Sequence, residues 1–162
     1  MPERLCHEFG PLFCADSKIL ILGSFPSVKS RETQFYYGHP RNRFWPLIAA
    51  LFGEAVPLSV GDKKALALRH GLALWDVIEN CEIRGSADSS IREPELCDLG
   101  LIFAACGIQR ICVNGKTAFA LYQRYDEPKF GREALCLPST SPANAAWSFE
   151  ALLRAWRKGI VL

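Results

Sequence analysis

Four short apolar runs stand out along the chain: Lys18 to Leu22, Leu72 to Val77, Arg110 to Val113 and Ala134 to Leu137. None alternates apolar with polar residues and each is too short for a helix, so they read as strands buried on both faces. Between them the apolar positions shift to helical spacing. Phe44, Trp45, Ile48, Leu51 and Phe52 share one helical face ahead of Gly53, with Asn42 placed as N-cap. Gly61 to Arg69 reads as a helix ending before Gly71, a further helix lies around Glu95 to Ala105, and another runs from Gly115 through Tyr122. Ser141 as N-cap with Pro142 at the first helical position predicts a last helix reaching about Arg157. The segment from Ser24 to Arg41 reads as one long irregular loop, and connections of that length in compact domains are often functional. The alternation predicts an α/β fold, a three-layer α/β/α sandwich with a mainly parallel four-stranded sheet, formed by residues 1–162 as a single domain.

Composition narrows this little. Nineteen Lys and Arg against seventeen Asp and Glu leave a net charge of +2, which neither requires nor excludes a polyanionic partner. Seven cysteines, an odd number without a CxxC pair, point to free thiols and a reducing cytoplasm. A zinc or iron–sulfur site from Cys6, Cys14, Cys81 and Cys97 is the alternative, and the expectation is no metal and no cofactor. No stretch approaches the length of a membrane span and no signal-like segment opens the chain, so a cytoplasmic monomer without a membrane partner is expected.

Candidate chemistry concentrates in two loops that follow the first and last of these strands. Gly23-Ser24-Phe25-Pro26-Ser27 and Leu137-Pro138-Ser139-Thr140-Ser141-Pro142-Ala143-Asn144 should open at the carboxyl edge of the sheet, where open α/β sheets place ligands. Small and hydroxylated residues there let backbone amides approach an anion or a sugar. The first loop is neither GxGxxG nor a P-loop, and it lacks the glycines of a nucleophile elbow, so dinucleotide binding, triphosphate binding and serine hydrolysis have no specific support. Arg41 and Arg43 follow the aromatic run Phe35-Tyr36-Tyr37, a mixture suited to phosphates and stacked bases. Asn114 ends the third strand at the same edge and reads equally as a base-reading amide or as a turn residue before Gly115. His39, beside Pro40, reads as a base or phosphate contact or as a brace for its loop.

Together with Leu74-Trp75-Asp76-Val77 and Val113-Asn114-Gly115-Lys116, these loops and the run Tyr36-Tyr37-Gly38-His39-Pro40-Arg41-Asn42-Arg43-Phe44-Trp45 resemble the uracil-DNA glycosylase superfamily. The similarity runs over nearly the whole chain and is greatest to the hypoxanthine-DNA (deoxyinosine) glycosylase branch. It implies a metal-free enzyme that removes a deaminated base flipped out of DNA, leaving an abasic site without a covalent intermediate. By the same resemblance Asn42 orients the attacking water. Gly23, Ser24, Phe25, Tyr37, His39, Asn114, Ser139, Thr140 and Ser141 hold the nucleotide, and Arg41, Arg43 and Asn144 contact the DNA backbone. Lys116 is read as a surface or phosphate contact and Asp88 as a pocket or turn residue. Two positions depart from the superfamily pattern: Phe25 stands where several members carry Asp or Asn, and Leu137 where His or Asn is common. They motivate the alternative of a catalytically inert nucleic-acid or nucleotide-binding domain of the same fold.

Overall fold

The structure, a computed structural model, describes residues 3–6, 9–25, 28–83 and 92–161. The chain runs through β1 (Glu3–Cys6), β2 (Ile19–Gly23), α1 (Val28–Thr33), α2 (Phe44–Phe52), α3 (Val60–Arg69) and β3 (Leu72–Asp76). It continues through β4 (Ile78–Ile83), β5 (Arg92–Leu96), α4 (Gly100–Ala105), β6 (Arg110–Asn114), α5 (Lys116–Leu121), α6 (Glu127–Phe130), β7 (Leu135–Leu137) and α7 (Phe149–Ile160). The central sheet has the order β3-β2-β6-β7 and every neighbouring pair is parallel. All residues of β2 and β3 are buried, which a sheet achieves only when helices cover both faces. The result is the expected three-layer α/β/α sandwich.

Packing fixes the last helix hard against this sheet. A Cβ built on Gly159 of α7 would stand 3.0 Å from Leu137 Cδ1, 3.1 Å from Cys112 Sγ and 3.2 Å from Leu135 Cδ2, so the glycine lets the helix sit against β6 and β7 without pushing those side chains aside. Trp156, fully buried, meets Phe44 of α2 edge to face at 5.8 Å and donates its indole N–H to Pro138 O at 2.8 Å. Burying a ring of this size contributes about 2–3 kcal/mol. The indole bond also ties the loop after β7 to the core.

Several expectations need correction. Val28–Thr33, inside the expected irregular loop, is a short helix, closed by Gln34 at φ 58° and by Phe35 N–H donating to Ser30 O at 3.1 Å. A second, antiparallel sheet of order β1-β4-β5 was not anticipated, and it splits the helix expected from Glu95 into a strand ending at Leu96 and a helix starting at Gly100. The helix after Asn114 continues past Tyr122 through a π-helical turn, Tyr122–Asp126, into α6. Ser141 caps only a 3-10 turn, Pro142–Asn144. The true N-cap of the last helix is Ser148, whose hydroxyl accepts from Ala151 N–H at 3.1 Å. Among the described residues no helix is long and apolar enough to cross a membrane.

Candidate active site

Parallel pairing brings the carboxyl ends of β3, β2 and β6 side by side, with Asp76 in register with Gly23. The Val77 and Ile78 amides donate to Gly23 O at 2.8 Å and Ser24 O at 3.0 Å, extending the pairing beyond the strands. Asn114 closes β6 and is opposite Leu137 of β7. Beyond Leu137 the chain folds back over Gly115, whose N–H donates to Leu137 O at 2.8 Å. Gly115 has φ +99°, and a Cβ there would meet Ser139 Cβ at 3.3 Å, so a side chain would be strained as well as crowded.

Thr140, fully buried, then sits between the two candidate asparagines. Its backbone N–H donates to Asn114 Oδ1 and its hydroxyl accepts from Asn114 Nδ2, both at 3.0 Å. The hydroxyl proton goes on to Asn42 Oδ1 at 2.8 Å, which also accepts from Phe44 N–H at 3.0 Å. Backbone amides only donate, so the Thr140 and Phe44 N–H groups fix which end of each amide is oxygen. The direction of the chain from Asn114 through Thr140 to Asn42 follows. The N-cap of α2 is Arg43, not Asn42 as expected; Asn42 lies one residue earlier, where its Oδ1 takes the first helical N–H, that of Phe44, and its Nδ2 remains as a donor. Asn114 likewise turns its acceptor to Thr140 and gives one Nδ2 hydrogen to the Thr140 hydroxyl, which leaves the other as a donor.

The aromatic loop closes the other side. Tyr37 holds φ at 56°, unusual for a bulky residue, and stacks on Phe44 with centroids 4.0 Å apart. Its hydroxyl is buried without a hydrogen-bond partner; the Asn114 amide lies beside it without completing a bond. Burial, and after it the charge of Asp76, push the Tyr37 phenol well above its ordinary range, so it stays a protonated donor. Phe35 and Tyr36 are core residues: Phe35 stacks on Trp45, and Tyr36 donates its hydroxyl to Gly10 O at 3.0 Å. His39 Nδ1 accepts from Arg41 N–H at 3.0 Å and His39 O from Asn42 N–H at 2.9 Å, a tight turn that sets up Asn42. Neutral His39 therefore carries its proton on Nε2.

Not every expected contact gathers here. Arg43 directs one guanidinium nitrogen to Trp147 O and another to Asn144 O at 3.0 Å, and its backbone N–H donates to Thr140 O at 3.1 Å. It clamps the aromatic loop to the loop after β7, whereas Arg41 is exposed. Asn144 donates Nδ2 to Ser139 O at 2.9 Å, and the Ser139 and Ser141 hydroxyls accept from Ser141 N–H and Ala143 N–H, so these groups also shape their loop. Ser24 and Phe25 are buried beside Gly23, with the Arg31 guanidinium 5.7 Å from the Phe25 ring centre. Lys116 is exposed at the start of α5. Pro26, Ser27 and Asp88 lie outside the described residues. Among those described, Cys14, Cys97, Cys106, Cys112 and Cys136 are free thiols, and no three His, Cys, Asp or Glu side chains gather as a metal site.

The sequence shows Asp76 within the motif Leu74-Trp75-Asp76-Val77 but gives it no role. It is buried at the end of β3, and a Cβ on Gly23 would stand only 2.5 Å from its Oδ1 and 3.5 Å from Tyr37 Oη. The signal was a charged residue closing an otherwise apolar strand, Leu72-Ala73-Leu74-Trp75-Asp76. Because its partner surface is a glycine on another strand, spacing along the chain could not show what it faces.

Comparison with known proteins gives one answer. A family model of the uracil DNA glycosylase superfamily matches residues 11–158. A hypoxanthine DNA glycosylase of Methanosarcina acetivorans is 38% identical over 138 residues, covering 82% of this chain and 84% of that protein. A hypoxanthine DNA glycosylase of Methanosarcina barkeri is 33% identical over 110 residues, covering 67% of this chain and 70% of that protein. A solution NMR structure from Methanosarcina acetivorans, provisionally described as a uracil DNA glycosylase, superposes with a TM-score of 0.80 at 32% identity, covering 94% of each chain.

Proposed function

This chain belongs to the uracil DNA glycosylase superfamily and is a DNA glycosylase, and from that premise we propose that it hydrolyses the N-glycosidic bond of deaminated bases, hypoxanthine first, without a covalent intermediate. The observation that carries this reading is the Asn114–Thr140–Asn42 chain, which holds two neutral amides rigidly at the carboxyl edge of the sheet.

Dissociative cleavage of this bond places positive charge on the sugar and negative charge on the departing base. The base must then be met by hydrogen-bond donors, and the water must be held beneath C1′ rather than strongly deprotonated. Asn42 Nδ2 is the group that fixes that water, because its Oδ1 is committed to Phe44 N–H and the Thr140 hydroxyl. Asn114 donates its second N–H to the base. Ser139 and Ser141, with the turn they form, carry the sugar–phosphate backbone on either side, and Arg41 adds charge at the rim. The names of the two Methanosarcina relatives favour hypoxanthine as the base.

Duplexes with a single hypoxanthine, uracil, xanthine or mismatched thymine, treated with alkali after incubation, test the ranking. Hypoxanthine is expected to react fastest, with strand breaks appearing only after alkali. Borohydride trapping of an enzyme–DNA adduct would refute the direct hydrolysis.

A further inference from the structure

Spontaneous deamination leaves one chemical mark on adenine and cytosine alike. The exocyclic amine, a donor, becomes a carbonyl, an acceptor, and the ring nitrogen beside it changes from a lone-pair acceptor to an N–H donor. A pocket that tells the damaged base from its parent needs a donor for the new carbonyl and an acceptor for the new N–H, in neighbouring positions.

Asn114 and Asp76 end the two strands that flank β2, one on each side of Gly23. Asn114 presents N–H, since Thr140 N–H holds its oxygen. Asp76 is buried, and its carboxylate oxygen lies so close to Gly23 that a Cβ there, 2.5 Å away, would push the carboxylate aside. Tyr37 Oη lies against the same glycine, buried and without a hydrogen-bond partner. A buried hydroxyl left in this state is destabilising, and a ligand carbonyl that accepts from it relieves the cost. A carboxylate has about four lone-pair sites and can take a base N–H along with its other neighbours.

We infer that Asp76 reads the deaminated base: its carboxylate accepts the imino N–H created by deamination, while Tyr37 Oη and Asn114 Nδ2 donate to the new carbonyl. An adenine or cytosine in the same place would set a ring lone pair against the carboxylate and an amine against the Asn114 N–H. Both contacts are repulsive in a site closed to water. Guanine already carries the carbonyl and the N–H, so this pair cannot reject it, and its 2-amino group must be excluded elsewhere.

The inference rests on the reading of this cleft as a base pocket but not on which deaminated base is preferred. Duplexes carrying non-hydrolysable 2′-fluoroarabino nucleotides of hypoxanthine, adenine, uracil, cytosine or guanine, titrated by fluorescence anisotropy, measure it. An Asn at 76 can present N–H as readily as oxygen. In Asp76→Asn the preferences for hypoxanthine over adenine and for uracil over cytosine should therefore narrow by about tenfold or more, while hypoxanthine over guanine stays as in wild type. Tyr37→Phe should weaken hypoxanthine and uracil several-fold and leave adenine and cytosine unchanged. Unchanged preferences in a variant that melts like wild type overturn the inference, and so does an equal loss for all five bases. Should Asp76→Asn fail to fold, Tyr37→Phe decides alone, with an unchanged preference counting against. A wild type that favours uracil over hypoxanthine would revise the substrate proposed above and leave the uracil and cytosine pair to test Asp76.

Discussion

Thr140 stands between the two asparagines, and removing its hydroxyl would take one partner from Asn42 Oδ1 and one from Asn114 Nδ2. It touches neither base nor water in this account, so it is a positioning residue and its loss should be graded. Asn42→Ala should lower single-turnover cleavage by about 10²-fold or more, by analogy with removal of one preorganised polar group, while lesion binding stays near wild type. Thr140→Val, which keeps the shape and removes the hydroxyl, should lower the same rate by about tenfold, and Thr140→Ser should restore it. Full activity in Thr140→Val would mean that the chain of hydrogen bonds does not set the asparagines. The places of Asn42 and Asn114 were readable in the sequence, since each sits next to a turn signal where a strand or helix begins or ends, while their proposed roles came from the family resemblance. What Asp76 and the Tyr37 hydroxyl face was not readable, because it depends on pairing register and on a ring packed over Phe44.

At the scale of elements, the two arginines of the aromatic loop part company. Arg43→Ala should release the segment from Asn144 to Trp147, lowering Tm and cleavage together, because the carbonyls it holds belong to the loop that carries Thr140. Arg41→Ala should leave Tm alone, weaken binding to every duplex and reduce the salt slope by about one phosphate contact. The reverse pattern, with salt dependence lost in Arg43→Ala and Tm lost in Arg41→Ala, would contradict this division. The same clamp explains why the last helix could not be placed from sequence. Ser141-Pro142 imitates a helix start and Ala143, Ala145 and Ala146 favour a helix, yet Arg43 and the Asn144 side chain hold the segment in a 3-10 turn. The central strands were legible because runs buried on both faces need no partner to be recognised, as in Ile19–Gly23. β4 and β5 were not, since Arg92–Leu96, with two glutamates and a proline, becomes a strand only through its pairing with β4.

Across the whole molecule, one edge of one sheet collects residues from positions 23 to 140, and the helices behind it serve mainly to hold that edge still. Phe25 and Leu137, which depart from the superfamily pattern, are both buried. In the proposed reading, the polar work falls to Asn42, Asn114 and Asp76. The proposed mechanism predicts release of an intact base from a strand left whole. The most direct measurement is mass-spectrometric identification of what a hypoxanthine-bearing duplex loses under single turnover in the presence of chelator. Free hypoxanthine, released in step with alkali-labile sites and absent with Asn42→Ala, is the predicted result; release of a nucleoside or nucleotide, or no release at all, would contradict it.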